Sequence, residues 1–152
     1  MKSYEVTHIV TLEETNVVGN VYFANYFRWQ GVARESFLRD HAPGILREFE
    51  SGLSMVTTDS KCQFFEESFA FDEIRIKMRL IQLRPKRGRM SFNYFRVRGA
   101  TETLIATGEQ GFLCMRKDET GKSFPCPIPD ELYNALRQYA AVETQDQALE
   151  PA

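Results

Sequence analysis

The residue types best suited to chemistry gather in one short stretch. Thr15-Asn16-Val17-Val18-Gly19-Asn20-Val21-Tyr22-Phe23 runs directly into Asn25-Tyr26-Phe27-Arg28-Trp29. The first part is polar and broken by Gly19, which reads as a loop. The second has helical spacing. A helix that opens after a glycine-containing loop leaves unpaired N–H groups facing whatever docks there. Such an end stabilises a developing oxyanion. The same pattern also fits a plain capped helix, with Asn20 at the N-cap position.

A second concentration of charge lies at Arg84, Lys86, Arg87 and Arg89, four cations within six residues. It reads either as a solvated turn or as a surface for a phosphate or an acidic protein partner. Other signatures are missing. Ser54 in Gly52-Leu53-Ser54-Met55-Val56 lacks the second glycine of a nucleophile elbow, and no Gly-rich phosphate loop occurs. His8 and His41 are the two histidines, without metal-ligand spacing, so no metal or other cofactor is expected. His8 alternates within a strand and reads as structural; His41 is placed to meet the last carbonyls of the long helix. Cys62, Cys114 and Cys126 form no Cys-x-x-Cys, and their odd number suits reduced thiols that pack as small hydrophobes.

These residues need elements to hold them. Tyr4 to Leu12 is rich in Val, Ile and Thr, as in a strand. Tyr22, Tyr26, Trp29, Ala33 and Phe37 recur at spacings of three and four, so a long helix is predicted from Tyr22 to His41. Pro43 to Glu50 reads as a short second helix with Gly52 past its end. Strands follow at Met55 to Phe71, with an interruption at Glu66-Glu67, then at Glu73 to Leu83, Met90 to Val97 and Thr101 to Met115. Changes of face near Ile81 and Phe95 suggest bulges. Ala106 and Gly108 share one face of the last strand, which predicts a close neighbour there. Pro125, Pro127 and Pro129 break the chain before a closing helix at Asp130 to Ala141. The expectation is a two-layer α+β fold, a five-stranded, mostly antiparallel sheet beside one long helix.

Composition agrees. With 152 residues, 43% hydrophobic and 26% charged, the chain suits one domain with a real core. We expect a single domain over 1–142 and a frayed acidic tail over 143–152. A net charge of -2 argues against nucleic-acid binding, no apolar run has membrane-spanning length, and Met1 to His8 lacks the features of a signal peptide. A cytoplasmic protein is expected.

The stretch from Glu14 to Leu38 resembles the 4-hydroxybenzoyl-CoA thioesterase-like branch of the hotdog-fold superfamily. Its pattern is an acidic residue in a loop, then Gly-x-Val-x-Tyr or similar, then Asn-Tyr-x-Arg-Trp on a long helix. Within that branch, Asn-Val-Val-Gly-Asn-Val-Tyr-Phe, with Arg34 eight residues after Tyr26, is similar to thioesterases that accompany enediyne polyketide synthases. The resemblance implies a hotdog fold, in which the sheet wraps the long helix. It also implies a catalytic group made of Asn16, Tyr26, Arg34 and the backbone N–H of Phe23. Thr57 would line an acyl channel and Gly19 the substrate loop, while Lys86 and Arg87 would meet a phosphopantetheine phosphate or the acidic carrier surface. Asn16 falls where many members carry their acid, and an amide has no basicity near neutral pH. Glu13 and Glu14 read as solvated loop charges, with Glu66 and Glu67 as the next carboxylates to consider. Hydrolysis would then rest on positioned water and electrostatics. The implied substrate is a β-keto polyene thioester on the acyl carrier domain of an iterative synthase. A general acyl-CoA thioesterase and a non-catalytic acyl- or partner-binding hotdog stay open. A homo-oligomer is expected, a dimer of dimers, with the site across a dimer interface.

Overall fold

The computed structural model describes residues 2–140, so the predicted tail and the domain limit at 142 lie outside the described residues. The chain runs β1 (Tyr4–Ile9), a 3₁₀ turn (Leu12–Glu14), α1 (Ala24–His41), α2 (Ile45–Glu50), β2 (Leu53–Phe64), β3 (Glu73–Leu83), β4 (Arg87–Arg98), β5 (Thr101–Lys117), β6 (Ser123–Pro125) and α3 (Asp130–Arg137). The strands form one antiparallel sheet in the order β1-β3-β4-β5-β2. β6 is an addition to the expected five strands. It pairs with β5 where Ser123 to Pro125 lies opposite Met115 to Lys117.

Period-two alternation builds the inner face. Ile74, Ile76, Met78 and Leu80 on β3 and Met90, Phe92 and Tyr94 on β4 are buried, while their neighbours face outward. α1 lies against this face with Tyr26, Trp29, Ala33 and Phe37 buried, and the sheet wraps the helix as a hotdog fold does. The register slips between Leu80 and Gln82 and between Tyr94 and Phe95, where the alternation broke in the sequence. Gly108 gives the close approach. A Cβ there would stand 2.4 Å from Gln30 Nε2, so the helix side chain packs directly on the strand.

Three expectations need correction. β2 stops at Phe64, short of Phe71 and just before the interruption expected at Glu66-Glu67, because Phe65 and Glu66 turn their N–H groups to Ile105 O and the chain leaves the ladder. Asn20 does not cap α1. The helix starts three residues later, Phe23 takes the cap position, and Asn20 forms a bridge to Phe69. His41 does not meet helix carbonyls either. Its Nε2 lies 3.0 Å from Tyr139 Oη, inside a ring cluster with Tyr4 and Phe37.

Candidate active site

The loop between the 3₁₀ turn and α1 is anchored by a residue that the sequence reading set aside. Glu14 is 8% exposed and holds the centre of a hydrogen-bond cluster. Its Oε1 accepts from the Thr11 N–H at 2.9 Å and the Thr11 hydroxyl at 3.1 Å, and lies 2.7 Å from His8 Nε2. Its Oε2 accepts from Trp29 Nε1–H at 2.7 Å. Its backbone carbonyl accepts from Tyr22 N–H and from Asn25 Nδ2, both at 2.9 Å. Burial alone would push this carboxyl upward, but the bonds from Thr11, His8 and Trp29 prevail and leave it below the usual carboxylate range. Glu14 is therefore an ionised, fully engaged anchor joining β1, the turn and α1. The expectation of a solvated charge holds for exposed Glu13 and fails for Glu14. The spacing Glu14…Trp29 was in plain view; what hid it was that a loop carboxylate is usually wet.

Asn16 stands two residues beyond this anchor. Its N–H donates to Asn20 O at 2.7 Å, its carbonyl accepts from Gly19 N–H at 2.9 Å, and its side-chain amide donates to Asn20 Oδ1 at 3.1 Å. Gly19 closes this turn at φ +94, a conformation that favours glycine. Asn16 is exposed and borders an open cavity of about 700 Å³ together with His8, Glu14, Asn25, Arg28 and Trp29. Beside it, the N–H groups of Phe23 and Ala24 have no partner among the described residues, as the first turn of a helix leaves them.

Arg34 sits ten residues into α1, about 15 Å along the axis from Ala24. Its Nη1 donates to Thr57 Oγ1 and to Gln110 Oε1, both at 3.0 Å. Among the described residues it makes no ion pair, and neighbouring Glu35 is exposed. Burial destabilises the charged form and lowers its pKa, with Glu35 opposing weakly. The residue after Thr57 is bulged, since the β2–β5 register slips between Thr57 and Asp59. Opposite lies Gly111, where a Cβ would stand 2.6 Å from Thr58 Oγ1.

The structure thus joins Arg34 with Thr57, and Asn16 with Gly19, but leaves these two groups at separate places on one protomer. Phe23 stands beside the Asn16 loop, with its ring half exposed against Tyr22. Tyr26 is 3% exposed, its hydroxyl 2.7 Å from Ser68 Oγ and its ring edge-on to Phe64 and Tyr94. Burial raises its pKa. Lys86 and Arg87 are exposed at the β3–β4 hairpin. Arg89, grouped with them in the sequence, is bound instead to Asp59 at 2.5 Å and Glu109 at 3.2 Å. Glu66 pairs with Arg96, and Glu67 accepts from Asn20 Nδ2. No group of three or more His, Cys, Asp or Glu side chains is placed to hold a metal ion among the described residues, and their three cysteines are free thiols. No described helix is long and apolar enough to cross a membrane.

The model of the thioesterase-like superfamily matches residues 10–136. The chain belongs to that superfamily. A solved dynemicin thioesterase, described for induced-fit and allosteric effects upon polyene binding, is 48% identical; the match covers 93% of this chain and 99% of that one, with a TM-score of 0.88. This thioesterase also shares its fold with a 1,4-dihydroxy-2-naphthoyl-CoA thioesterase from Synechocystis, at 18% identity over 89% of this chain and 96% of that one, TM-score 0.76. A 4-hydroxybenzoyl-CoA thioesterase variant complexed with 4-hydroxybenzoyl-CoA gives 16%, 90%, 99% and 0.78 for the same quantities. At these identities the last two speak to fold alone. No curated protein sequence matches the chain. The family and its 48% identical relative make this protein a thioester hydrolase, similar to the dynemicin thioesterase.

Proposed function

We propose that this thioesterase hydrolyses a β-keto polyene thioester held on the acyl carrier domain of an iterative enediyne polyketide synthase. Water adds to the thioester carbonyl, the C–S bond breaks, the carrier thiol leaves with a proton, and a β-keto acid is released. That acid loses CO₂ readily to give a conjugated polyene. The observation that carries this reading is the near-complete match to the polyene-binding dynemicin thioesterase. Arg34 supports it physically. A half-buried guanidinium held by neutral acceptors keeps its charge for an incoming oxygen, either the oxyanion or the β-oxygen of the acyl chain. Asn16 and the Phe23 N–H orient water and the carbonyl, Tyr26 supplies a phenolic donor, and Thr57 and Gly19 border the acyl path.

Asn16 and Arg34 lie apart on one protomer, so the reading requires a second copy. β2 is an edge strand whose residues Val56 to Lys61 are all exposed, with Val56 and Phe64 among the large apolar side chains left open. Pairing there makes a dimer in which Asn16 of one protomer faces groups of its partner, and two dimers then form a tetramer. Lys86 and Arg87 make no ion pair among the described residues and are free to meet the carrier's phosphate and acidic surface. The protein acts in the cytoplasm, beside its synthase.

The test is co-incubation with a candidate synthase and mass analysis of the released product. A conjugated polyene or its β-keto acid, absent without this protein, is the expected result. Release from acyl-CoA alone would make it a general acyl-CoA thioesterase, and tight binding without turnover a non-catalytic binder. Sedimentation showing an active monomer would end the shared-site reading.

A further inference from the structure

Gln110 occupies a position on β5 where alternation calls for an apolar side chain. Its inner-face neighbours Gly108 and Phe112 are buried, as is Met90 opposite it on β4, and Gln110 itself is 6% exposed. A buried amide needs its hydrogen bonds, because leaving one unmade is costly. One is plain. Arg34 Nη1 lies 3.0 Å from Gln110 Oε1, and a guanidinium only donates, so the amide oxygen must face it. That contact fixes the orientation of the amide and leaves the NH₂ as a donor.

This NH₂ has no acceptor among the described residues. The buried side-chain atoms sealed without a partner there are Arg79 Nε and Arg96 Nε; the Gln110 NH₂ is not among them. The cluster therefore keeps surplus donors, and neither acceptor in it is an anion. Thr57 and Gln110 offer Arg34 neutral oxygens. Glu109, next to Gln110 on β5, lies on the other face and pairs with Lys61 and Arg89.

We propose that Gln110 is a second polar arm of the Arg34 site. Its carbonyl holds the guanidinium in position without neutralising it, and its NH₂ donates to the same acyl oxygen that Arg34 meets. This rests on the reading of Arg34 as the oxyanion group. A glutamate in its place would satisfy Arg34 better and abolish the site; a methionine would pack equally well and supply neither function.

The experiment compares Gln110→Met, Gln110→Glu and Arg34→Ala in the full chain, using octanoyl-N-acetylcysteamine for kinetics and octanoate for calorimetric binding. Gln110→Met should lower kcat about ten- to a hundredfold with KM within about twofold, and weaken octanoate about tenfold. Its melting temperature should not fall, since the replacement fits an apolar wall. Gln110→Glu should fall as far as Arg34→Ala and lose octanoate binding, because its carboxylate captures the guanidinium. Wild-type kcat in both Gln110 variants beside an inactive Arg34→Ala would overturn the role of Gln110 and leave that of Arg34 standing. Wild-type turnover in Arg34→Ala would remove the reading on which both depend.

Discussion

Glu14 and Arg34 are both charged side chains withdrawn from water against α1, and they end in opposite circumstances. Glu14 receives four donors from three elements, and neither of its oxygens is left for a substrate. Arg34 has a single nitrogen engaged, by two neutral oxygens, and no ion pair within the described residues. The desolvation of a charge must be offset somewhere. At Glu14 the fold offsets it, and the result is a rigid root for the loop that carries Asn16. At Arg34 the fold offsets it only in part, which leaves attraction for an anionic or strongly polar ligand. A buried charge with its bonds completed is architecture. One left incomplete keeps donors for a ligand.

The largest expected effect breaks the second half of that contrast. Arg34→Ala should lower kcat by two or more orders of magnitude while substrate binding changes far less, because the charge matters most as the oxyanion forms. Arg34→Lys should rescue poorly, since an ammonium cannot reach Thr57, Gln110 and a substrate oxygen with one planar fork. Steady-state kinetics on a small acyl thioester decides it. Unchanged turnover in Arg34→Ala would make the guanidinium a packing residue.

Asn16 comes next. Asn16→Ala should reduce turnover by about one to three powers of ten through loss of one oriented polar contact. With Glu14 held ionised below the usual carboxylate range and both its oxygens occupied, that carboxylate is not available to Asn16 as a base. The wild-type pH–rate curve should rise toward alkaline pH without an acidic limb in the carboxylate range. An acidic limb that survives Asn16→Ala would show another acid acting as base. Glu66 would be an unpromising replacement, being salt-bridged to Arg96.

The contrast also explains what the sequence revealed. Strand alternation on β3 and β4, the slips near Ile81 and Phe95, and the helical stripe from Tyr26 to Phe37 were legible because each depends on local period and burial. Gly108 was legible as a small residue, though its neighbour Gln30 was not. Arg34 was recoverable only through family resemblance, since an arginine on a helix is ordinarily solvated. Glu14 was misread for the same reason. Its partners His8 and Trp29 come from a strand and a helix, and only folding brings them within 2.7 Å. Gln110 gave no signal, because a lone glutamine in a strand has meaning only once Arg34 faces it.

Glu14→Gln sharpens the other half of the comparison. An amide nitrogen must then confront Trp29 N–H or the His8–Thr11 donors, so a buried donor loses its acceptor. A loss of about 1.5–3 kcal/mol in stability is expected, measured by denaturant unfolding, with kcat falling only as far as the Asn16 loop loosens. The pH dependence has a definite sign. The carboxyl is lowered in the folded protein, so its contribution is complete above the ordinary carboxylate range. It is lost as pH falls through the folded-state value. The variant should therefore lose part of the wild type's acid sensitivity, and an identical acid-unfolding profile would refute the anchor.

The smallest effect concerns charges that are neither buried nor engaged. Lys86 and Arg87 are exposed on the β3–β4 hairpin, whereas Arg89 is consumed by Asp59 and Glu109, so the basic cluster is smaller in space than in sequence. Exposed cations act over a Debye length and are screened by salt. They should influence how often a carrier protein docks and leave the bond-breaking step alone. Charge reversal at both, Lys86→Glu with Arg87→Glu, should raise KM for carrier-bound substrate roughly three- to tenfold at low salt, and the difference should fade as salt is added. An acyl-N-acetylcysteamine substrate, which has no phosphate and no acidic surface, should be hydrolysed at the wild-type rate. Equal loss on both substrates would place these cations with Arg34, in the chemistry. Reversal at Arg89 gives the complementary control, because it breaks two ion pairs inside the sheet and should lower the melting temperature instead of altering the salt dependence of KM.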